Sequence, residues 1–215
     1  MTSSALPADR VRVAVFAKAP VAGMVKTRLA PALDAQAAAD LHAELVRRAL
    51  SNAVLSNVGP VQLWCAPDET HPFFSRCAAE TGAGLCRQEG GDLGARMAHA
   101  FDAAFRSHDK LLLIGSDCPA MTPAHIAAAA AALESHDAVF IPAEDGGYVL
   151  VGLSRPIPGV FEGVEWGTRG VMAATRERLR ESGARWHEMT PLWDIDRPED
   201  HARLQREGLL REALS

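Results

Sequence analysis

One loop of this sequence carries three cations, and three later stretches carry acids. Lys18, Lys26 and Arg28 fall in a segment broken by Pro20, Gly23 and Pro31. The segment follows an apolar run and precedes a helical pattern. Turns in such places aim backbone N–H groups at an anion, and added lysine and arginine neutralise its charge. Gly23 with Lys26-Thr27 lacks the glycine directly before the lysine, so the G-x-x-x-x-G-K-[ST] of a P-loop kinase is absent. A solvated basic loop is the plain alternative. The acids are Asp117, Glu144-Asp145, and Asp194 with Asp196. One or two carboxylates plus substrate phosphates are the usual way of holding Mg²⁺. Taken singly, each acid has a bland role: Asp117 as a turn cap, Asp145 as a turn residue before Gly146-Gly147, Asp196 as punctuation before Pro198. Together, basic loop and acids point to a metal–phosphate site.

These residues need a scaffold that brings strand ends together. Leu111-Leu112-Leu113-Ile114 has no polar alternation and reads as a strand buried on both faces. It stops at Gly115-Ser116-Asp117, and Thr122-Pro123 supplies the N-cap and first turn of a helix over 123–133. An acid at the carboxyl end of such a strand lies where open α/β sheets bind ligands. Upstream, the pattern predicts a strand over 11–17 and a long helix capped by Asp34, with Leu33, Ala37, Leu41 and Leu45 on one face. A strand over 61–66, a weaker helix over 69–80 and a short strand over 84–88 follow. Gly90-Gly91-Asp92 interrupts before a helix over 93–107 with Met97, Phe101, Ala104 and Phe105 as its stripe. Downstream, strands over 138–142 and 148–153 are close enough to pair antiparallel across Glu144-Asp145-Gly146-Gly147. Gly167-Thr168-Arg169 leads into a helix over 171–181, then come a strand near 185–190 and a helix from Pro198 to Glu207. Alternating strands and helices imply a three-layer α/β sandwich with a mixed, mainly parallel sheet.

The 215 residues suffice for one core, read as a single domain over 11–215 behind a short mobile leader over 1–10. A net charge of −5 argues against a nucleic-acid partner, and no apolar run reaches membrane-spanning length. Cys65, Cys77, Cys86 and Cys118 form no C-x-x-C pair, which suggests a reducing compartment and a cytoplasmic address. The eight histidines include no H-E-x-x-H, so a zinc hydrolase has no support. Trp64 reads as core. Trp166 and Trp193 lie on loops, where either ring could serve packing or act as a ligand platform.

The ordered segments Ala17-Lys18-Ala19-Pro20, Gly23-Met24-Val25-Lys26-Thr27-Arg28-Leu29, Gly115-Ser116-Asp117-Cys118-Pro119, Glu144-Asp145-Gly146-Gly147-Tyr148 and Asp194-Ile195-Asp196-Arg197-Pro198-Glu199-Asp200 carry a resemblance. The chain resembles the DUF2064 family of nucleotide-diphospho-sugar transferase-like proteins, some of them glycosyltransferases of arsenosugar biosynthesis. More distantly it is similar to the guanylyltransferases that make molybdenum cofactor dinucleotide or activate phospholactate. The resemblance implies a GT-A-type, Rossmann-like fold that binds a nucleoside triphosphate or nucleotide sugar with Mg²⁺ or Mn²⁺. It places Lys18, Gly23, Lys26, Thr27 and Arg28 around the phosphates, and Gln88, Gly90, Gly91 and Leu93 near the base. Asp117 matches a metal ligand, with Asp196, or else Asp194, as the second acid. Glu144, Asp145, Gly146, Gly147 and Tyr148, with Trp166 and Thr168, fall on the sugar or acceptor side.

The implied activity is transfer from an activated nucleotide to a small-molecule acceptor. Lys26 would steady the leaving phosphates, and Asp145 or Glu144 would serve as base. Gly115-Ser116-Asp117 lacks the first acid of the Asp-x-Asp found in many glycosyltransferases, which leaves nucleotidyl transfer with pyrophosphate release open. The reading from another class is a non-catalytic nucleotide-binding module. Acceptor, base, pathway and oligomeric state are not legible in the sequence.

Overall fold

The computed structural model describes residues 11–107 and 110–210; the expected leader lies outside the described residues. Seven strands form one mixed sheet: β1 (Val11–Lys18), β2 (Val61–Ala66), β3 (Gly84–Arg87), β4 (Lys110–Gly115), β5 (Ala138–Pro142), β6 (Tyr148–Leu153) and β7 (Trp186–Glu188), in the order β3-β2-β1-β4-β6-β5-β7. β6 runs antiparallel to both β4 and β5, and the other pairs are parallel. Helices α1 (Ala35–Leu55), α2 (Pro72–Thr81) and α4 (Pro123–Ala132) share a core cluster with one face of the sheet. Helices α3 (Leu93–Phe105) and α5 (Val171–Glu181) share another with the opposite face. The architecture is the expected three-layer, Rossmann-like sandwich.

β4 shows why its sequence is apolar without a break. Leu112 and Ile114 belong to one core cluster, Leu111 and Leu113 to the other. Each fully buried side chain contributes about 1.5–3 kcal/mol relative to exposure. The chain runs outward from β1 through β2 to β3, then returns to pair β4 on the other side of β1. Strand order therefore reverses between β1 and β4, and the crevice beyond their carboxyl ends is the place such sheets leave for a ligand. Both Lys18 and Gly115 end their strands at that rim.

Helix starts follow local capping chemistry. Asp34 accepts from the Ala37 amide, Asp92 from Ala95, and Thr122 shares a capping box with His125. α2 begins at Pro72, not near residue 69, because Asp68 accepts from both the amide and hydroxyl of Thr70 and holds that stretch in a turn. α3 ends at Phe105, and β7 shrinks to three residues at the sheet edge. The α1 face against the sheet is Val46, Ala49, Leu50 and Ala53. The anticipated stripe instead contributes Leu33, Leu41 and Leu45 to a third cluster with Leu29, Trp193, Ile195 and Leu204 of α6 (Pro198–Glu207). That cluster seats the C-terminal segment against the loop after β1.

At the end of the sheet opposite the rim, Asp137 accepts from the Arg185 amide and from the Arg155 guanidinium, at 2.8 and 2.9 Å. The Arg155 contact first, then the Arg185 amide, hold its carboxyl down at about 2. Its unfolded value is higher, so the stabilisation is full above about pH 4 and is lost as pH falls through 2. Asp137→Asn should cost about 1–2 kcal/mol at pH 7 in denaturant unfolding, with the deficit closing toward pH 2.

Candidate functional site

The loop after β1 is shaped by two left-handed residues. Gly23 takes φ 79°, where glycine is unstrained, and Lys26 takes φ 51°, where a lysine is not. Compensation comes from the side chain. Its ammonium lies 2.8 Å from Asp117 Oδ1 and donates to the Ile195 carbonyl, with only 5% of the side chain exposed. Asp117 in turn sits just past β4, and its carbonyl accepts from the Ile195 amide at 2.9 Å. Three distant segments thus meet at one ion pair.

Every polar contact described for the Asp117 carboxylate falls on Oδ1: Lys26, the Ser116 hydroxyl at 3.3 Å, and His42 Nδ1 at 3.7 Å. Burial pushes this carboxyl up, but the Lys26 ammonium and His42 outweigh it and hold it well below the usual carboxylate range. His42 itself is buried on α1, with Nε2 3.0 Å from the Lys18 carbonyl, which can only accept. Nε2 therefore carries a proton, and Nδ1 faces Asp117 without a hydrogen-bond partner among the described residues. Sequence reasoning missed His42, and it read Ser116 only as part of Gly115-Ser116-Asp117, not as a partner of the carboxylate. His42 had one signal, a polar residue on the otherwise apolar face of a helix.

Two cavities open side by side above the rim. The larger, about 590 Å³, is a trench with Lys18, Thr27 and Arg28 on one wall, Gln88 and Leu93 on the other, and Asp117 at its floor. Gln88 Nε2 donates to the carbonyls of Trp64 and Ala17, at 2.7 and 3.3 Å. That pairing fixes the amide and turns Oε1 to other partners. Met24 and Leu93, 72% and 45% exposed, flank the opening. Arg28 pairs with Asp196 at 2.7 Å; the arginine is largely exposed and the acid half-buried. Gly90 and Gly91 shape the turn before α3 and line neither cavity; Gly23 lines neither as well.

The smaller cavity, about 190 Å³, holds Asp145, Gly147, Tyr148, Trp166, Thr168 and Asp194. Phe16, Leu93 and Gly115 line both cavities and form the wall between them. Gly146 takes φ 99°, and a Cβ there would come 2.3 Å from the Arg169 carbonyl, so only glycine seats this turn against the loop before α5. Asp145 Oδ1 accepts from the Gly147 amide at 2.9 Å. Gly94, another position missed in sequence, brings α3 close enough to Trp166 that a Cβ would fall 2.7 Å from the indole nitrogen. A shallower depression of about 720 Å³ along residues 158–163 and the end of α5 contains none of these acids.

The acids divide. Burial, then the neighbouring Asp145 and Asp117, push Asp194 up to about 6. Asp196 belongs to the trench mouth with Arg28. Glu144 lines neither cavity; Arg203 holds it at 2.8 Å and also stacks over the Trp193 ring at 4.5 Å. Trp193 is buried in the third cluster and is packing, while Trp166 remains part of the cavity wall. Cys118 is buried and its thiol is pushed up to about 12 by desolvation, unsuited to nucleophilic work. All four cysteines are free, and no described helix is long and apolar enough to cross a membrane.

Residues 49–168 match the family DUF2064, described as an uncharacterized protein conserved in bacteria. Comparison with curated protein sequences yields no match. Among solved structures, one from Desulfovibrio desulfuricans G20, provisionally described as a nucleotide-diphospho-sugar transferase, is 26% identical with a TM-score of 0.80 over 95% of this chain and 98% of that one. A nucleotidyl transferase from Methanothermobacter thermautotrophicus is 18% identical with a TM-score of 0.63, over 94% and 99%. A Mycobacterium tuberculosis protein in complex with manganese is 16% identical with a TM-score of 0.51, over 92% and 98%. The last two likenesses show the fold.

The raised Asp194 has a measurable consequence. Because its folded value lies above its unfolded one, ionising it costs stability; the penalty is absent below about pH 4, grows up to pH 6 and is complete above it. Asp194→Asn should therefore stabilise the metal-free protein by about 1–2 kcal/mol at pH 8. Thermal unfolding of the two proteins should converge at pH 4.

Proposed function

The chain belongs to the DUF2064 family, and from that premise we propose that it is a divalent-cation-dependent transferase of GT-A type that uses a nucleotide sugar. The observation that carries the reading is the pairing of a cationic trench with an acid-bearing pocket across one thin wall at the strand-order switch. The trench, about 590 Å³, has room for a nucleoside diphosphate, and its lysines and arginines would pair with the phosphates. The solved structure at 26% identity supports a nucleotide-diphospho-sugar donor.

The donor set fits a divalent cation. Asp117 has one oxygen engaged and its side chain 46% exposed. Asp194 is a carboxyl whose ionisation its acidic neighbours oppose. Among the described residues no three His, Cys, Asp or Glu side chains close on one point, so phosphate oxygens would complete the shell, as is usual for Mg²⁺. Asp117 and Asp194 are the residues that would hold the ion; Asp196 is engaged by Arg28. When bound, the cation supplies charge neutralisation on the phosphates.

The chain's own groups do the rest. Lys26, fixed by Asp117 and the Ile195 carbonyl, presents a cation that needs no reorganisation as negative charge grows on the leaving diphosphate. Lys18 and Arg28 add to it from the exposed wall. Gln88, with Oε1 left to accept, and the apolar Met24 and Leu93 suit a planar base at the far end. Asp145, which pairs with no arginine among the described residues, would take the acceptor's proton; Glu144, held by Arg203, would not. Nucleotidyl transfer is the rival chemistry, favoured by the fold of the archaeal neighbour. A module that binds nucleotide without turnover is the rival class.

Thermal shift with GTP, CTP, UTP and UDP- and GDP-sugars, with and without Mg²⁺ or Mn²⁺, tests the reading. At least one nucleotide should raise the melting temperature only when metal is present, and silence across the whole panel would overturn the assignment. Asp117→Asn should abolish the metal-dependent shift while the protein stays folded by circular dichroism. Arg28→Ala should weaken nucleotide binding about tenfold, the scale of one charge-assisted phosphate contact. Turnover should release a nucleoside diphosphate; pyrophosphate in its place would establish nucleotidyl transfer, and binding without product would establish the module.

A further inference from the structure

The pocket beside the trench limits the charge of whatever fills it. Its walls are largely apolar, with Phe16, Met97, Leu113, Val151 and Trp166 among the lining residues. Its ionisable carboxyls are Asp145 and Asp194, and none of the described residues that line it is lysine, arginine or histidine. The Tyr148 phenol is pushed upward by burial and stays neutral. Arg169, on the loop above, is exposed and outside the lining. Across the Gly115 wall the trench sets Lys18, Lys26, Arg28 and Arg96 against Asp92, Asp117 and Asp196. The two cavities share a rim, but basic side chains line only the trench.

A phosphate monoester or carboxylate entering the small pocket would lose hydration and meet the Asp145 carboxylate with no lysine, arginine or histidine in the lining to receive it, an arrangement that costs more in a partly water-excluded site than in bulk. An uncharged ring meets the reverse situation. Its apolar face lies on Trp166 and the aliphatic wall, and its hydroxyls donate to Asp145, Asp194 or the Thr168 hydroxyl. A protonated amine gains from the same acids.

We infer that this pocket is the subsite of the second substrate, and that it selects an uncharged or cationic, hydroxyl- or amine-bearing ring and rejects phosphate esters and carboxylates. The inference rests on the nucleotide-dependent transferase reading and narrows it: the group brought to the nucleotide is an alcohol or amine, not a phosphate. The volume, about 190 Å³, suits one compact ring and not an extended chain.

Tryptophan fluorescence gives a local readout, with Trp166→Phe as the control that removes the signal from the pocket. The ligands are the methyl glycosides of glucose, galactose and mannose, the matching 2-amino sugars, and the matching 6-phosphates. At least one glycoside or amino sugar should change wild-type fluorescence and leave Trp166→Phe unchanged, and its 6-phosphate should bind at least about tenfold more weakly. Asp145→Asn keeps the turn to the Gly147 amide while removing a charge, so it should shrink that discrimination about threefold or more. A 6-phosphate that binds as tightly as its parent, or the lack of any Trp166-dependent signal, overturns the inference. Metal-dependent nucleotide binding that persists while phosphate esters win overturns this inference alone. Discrimination that survives with no nucleotide binding at all overturns the reading on which it rests.

Discussion

The contact between Lys26 and Asp117 organises the rim. A lysine ammonium removed from water needs a charged partner and further acceptors, because leaving it unpaired costs several kcal/mol. Lys26 finds both: the Asp117 carboxylate after β4 and the Ile195 carbonyl of the C-terminal segment. The contact closes only if residue 26 adopts its left-handed conformation and the C-terminal segment folds over the loop. Leu29, Trp193, Ile195 and Leu204 supply the apolar packing that holds that segment down. The ion pair adds geometry more than stability, since the desolvation of the buried Lys26 ammonium offsets much of the Coulomb gain. Its product is a fixed cation and an oriented acid at the strand-order reversal.

That geometry divides the rim by charge. Gly115 lacks a side chain, so the wall between trench and pocket is thin, and Phe16 and Leu93 make the rest of it apolar. Asp194 and Asp145 stand on one side, and Asp117 with its lysine on the other. The low-dielectric wall lets the acids feel one another, which is why burial and like charge together raise Asp194 while Lys26 depresses Asp117. One strand end thus serves two environments.

Much of this was legible in the sequence where one local signal sufficed. The unbroken apolar run of β4, the caps at Asp34, Asp92 and Thr122, and the return of β6 beside β5 each depend on neighbours close in the chain. The grouping of basic loop and acids at one rim followed from strand ends in a doubly wound sheet. The illegible parts depend on contacts far apart in sequence. Nothing local tells Asp194 from Asp196; the difference is that Arg28, 168 residues away, claims the second. Glu144 and Asp145 are adjacent and both exposed, yet Arg203 on α6 engages the first while the second lines a cavity. The start of α2 was misjudged for a different reason: the Asx turn at Asp68 competes with helix over the same residues.

The two cations that reach the acids of the trench are not equivalent. Lys26 is buried and doubly engaged, so replacing Asp117 with another anion would strand a carboxylate and break a carbonyl contact. Arg28 and Asp196 are 64% and 41% exposed, and an ion pair so placed is worth at most about 1 kcal/mol. A phosphate carries more charge than a carboxylate and accepts both arms of a guanidinium, so it competes well for Arg28 and poorly for Lys26. Of these two ion-paired cations, Lys26 is therefore fixed and Arg28 exchangeable. Under the proposed reading, a diphosphate entering the trench would gain Arg28 at little cost and displace Asp196, while the Lys26–Asp117 pair would stay intact and keep the floor of the site in place.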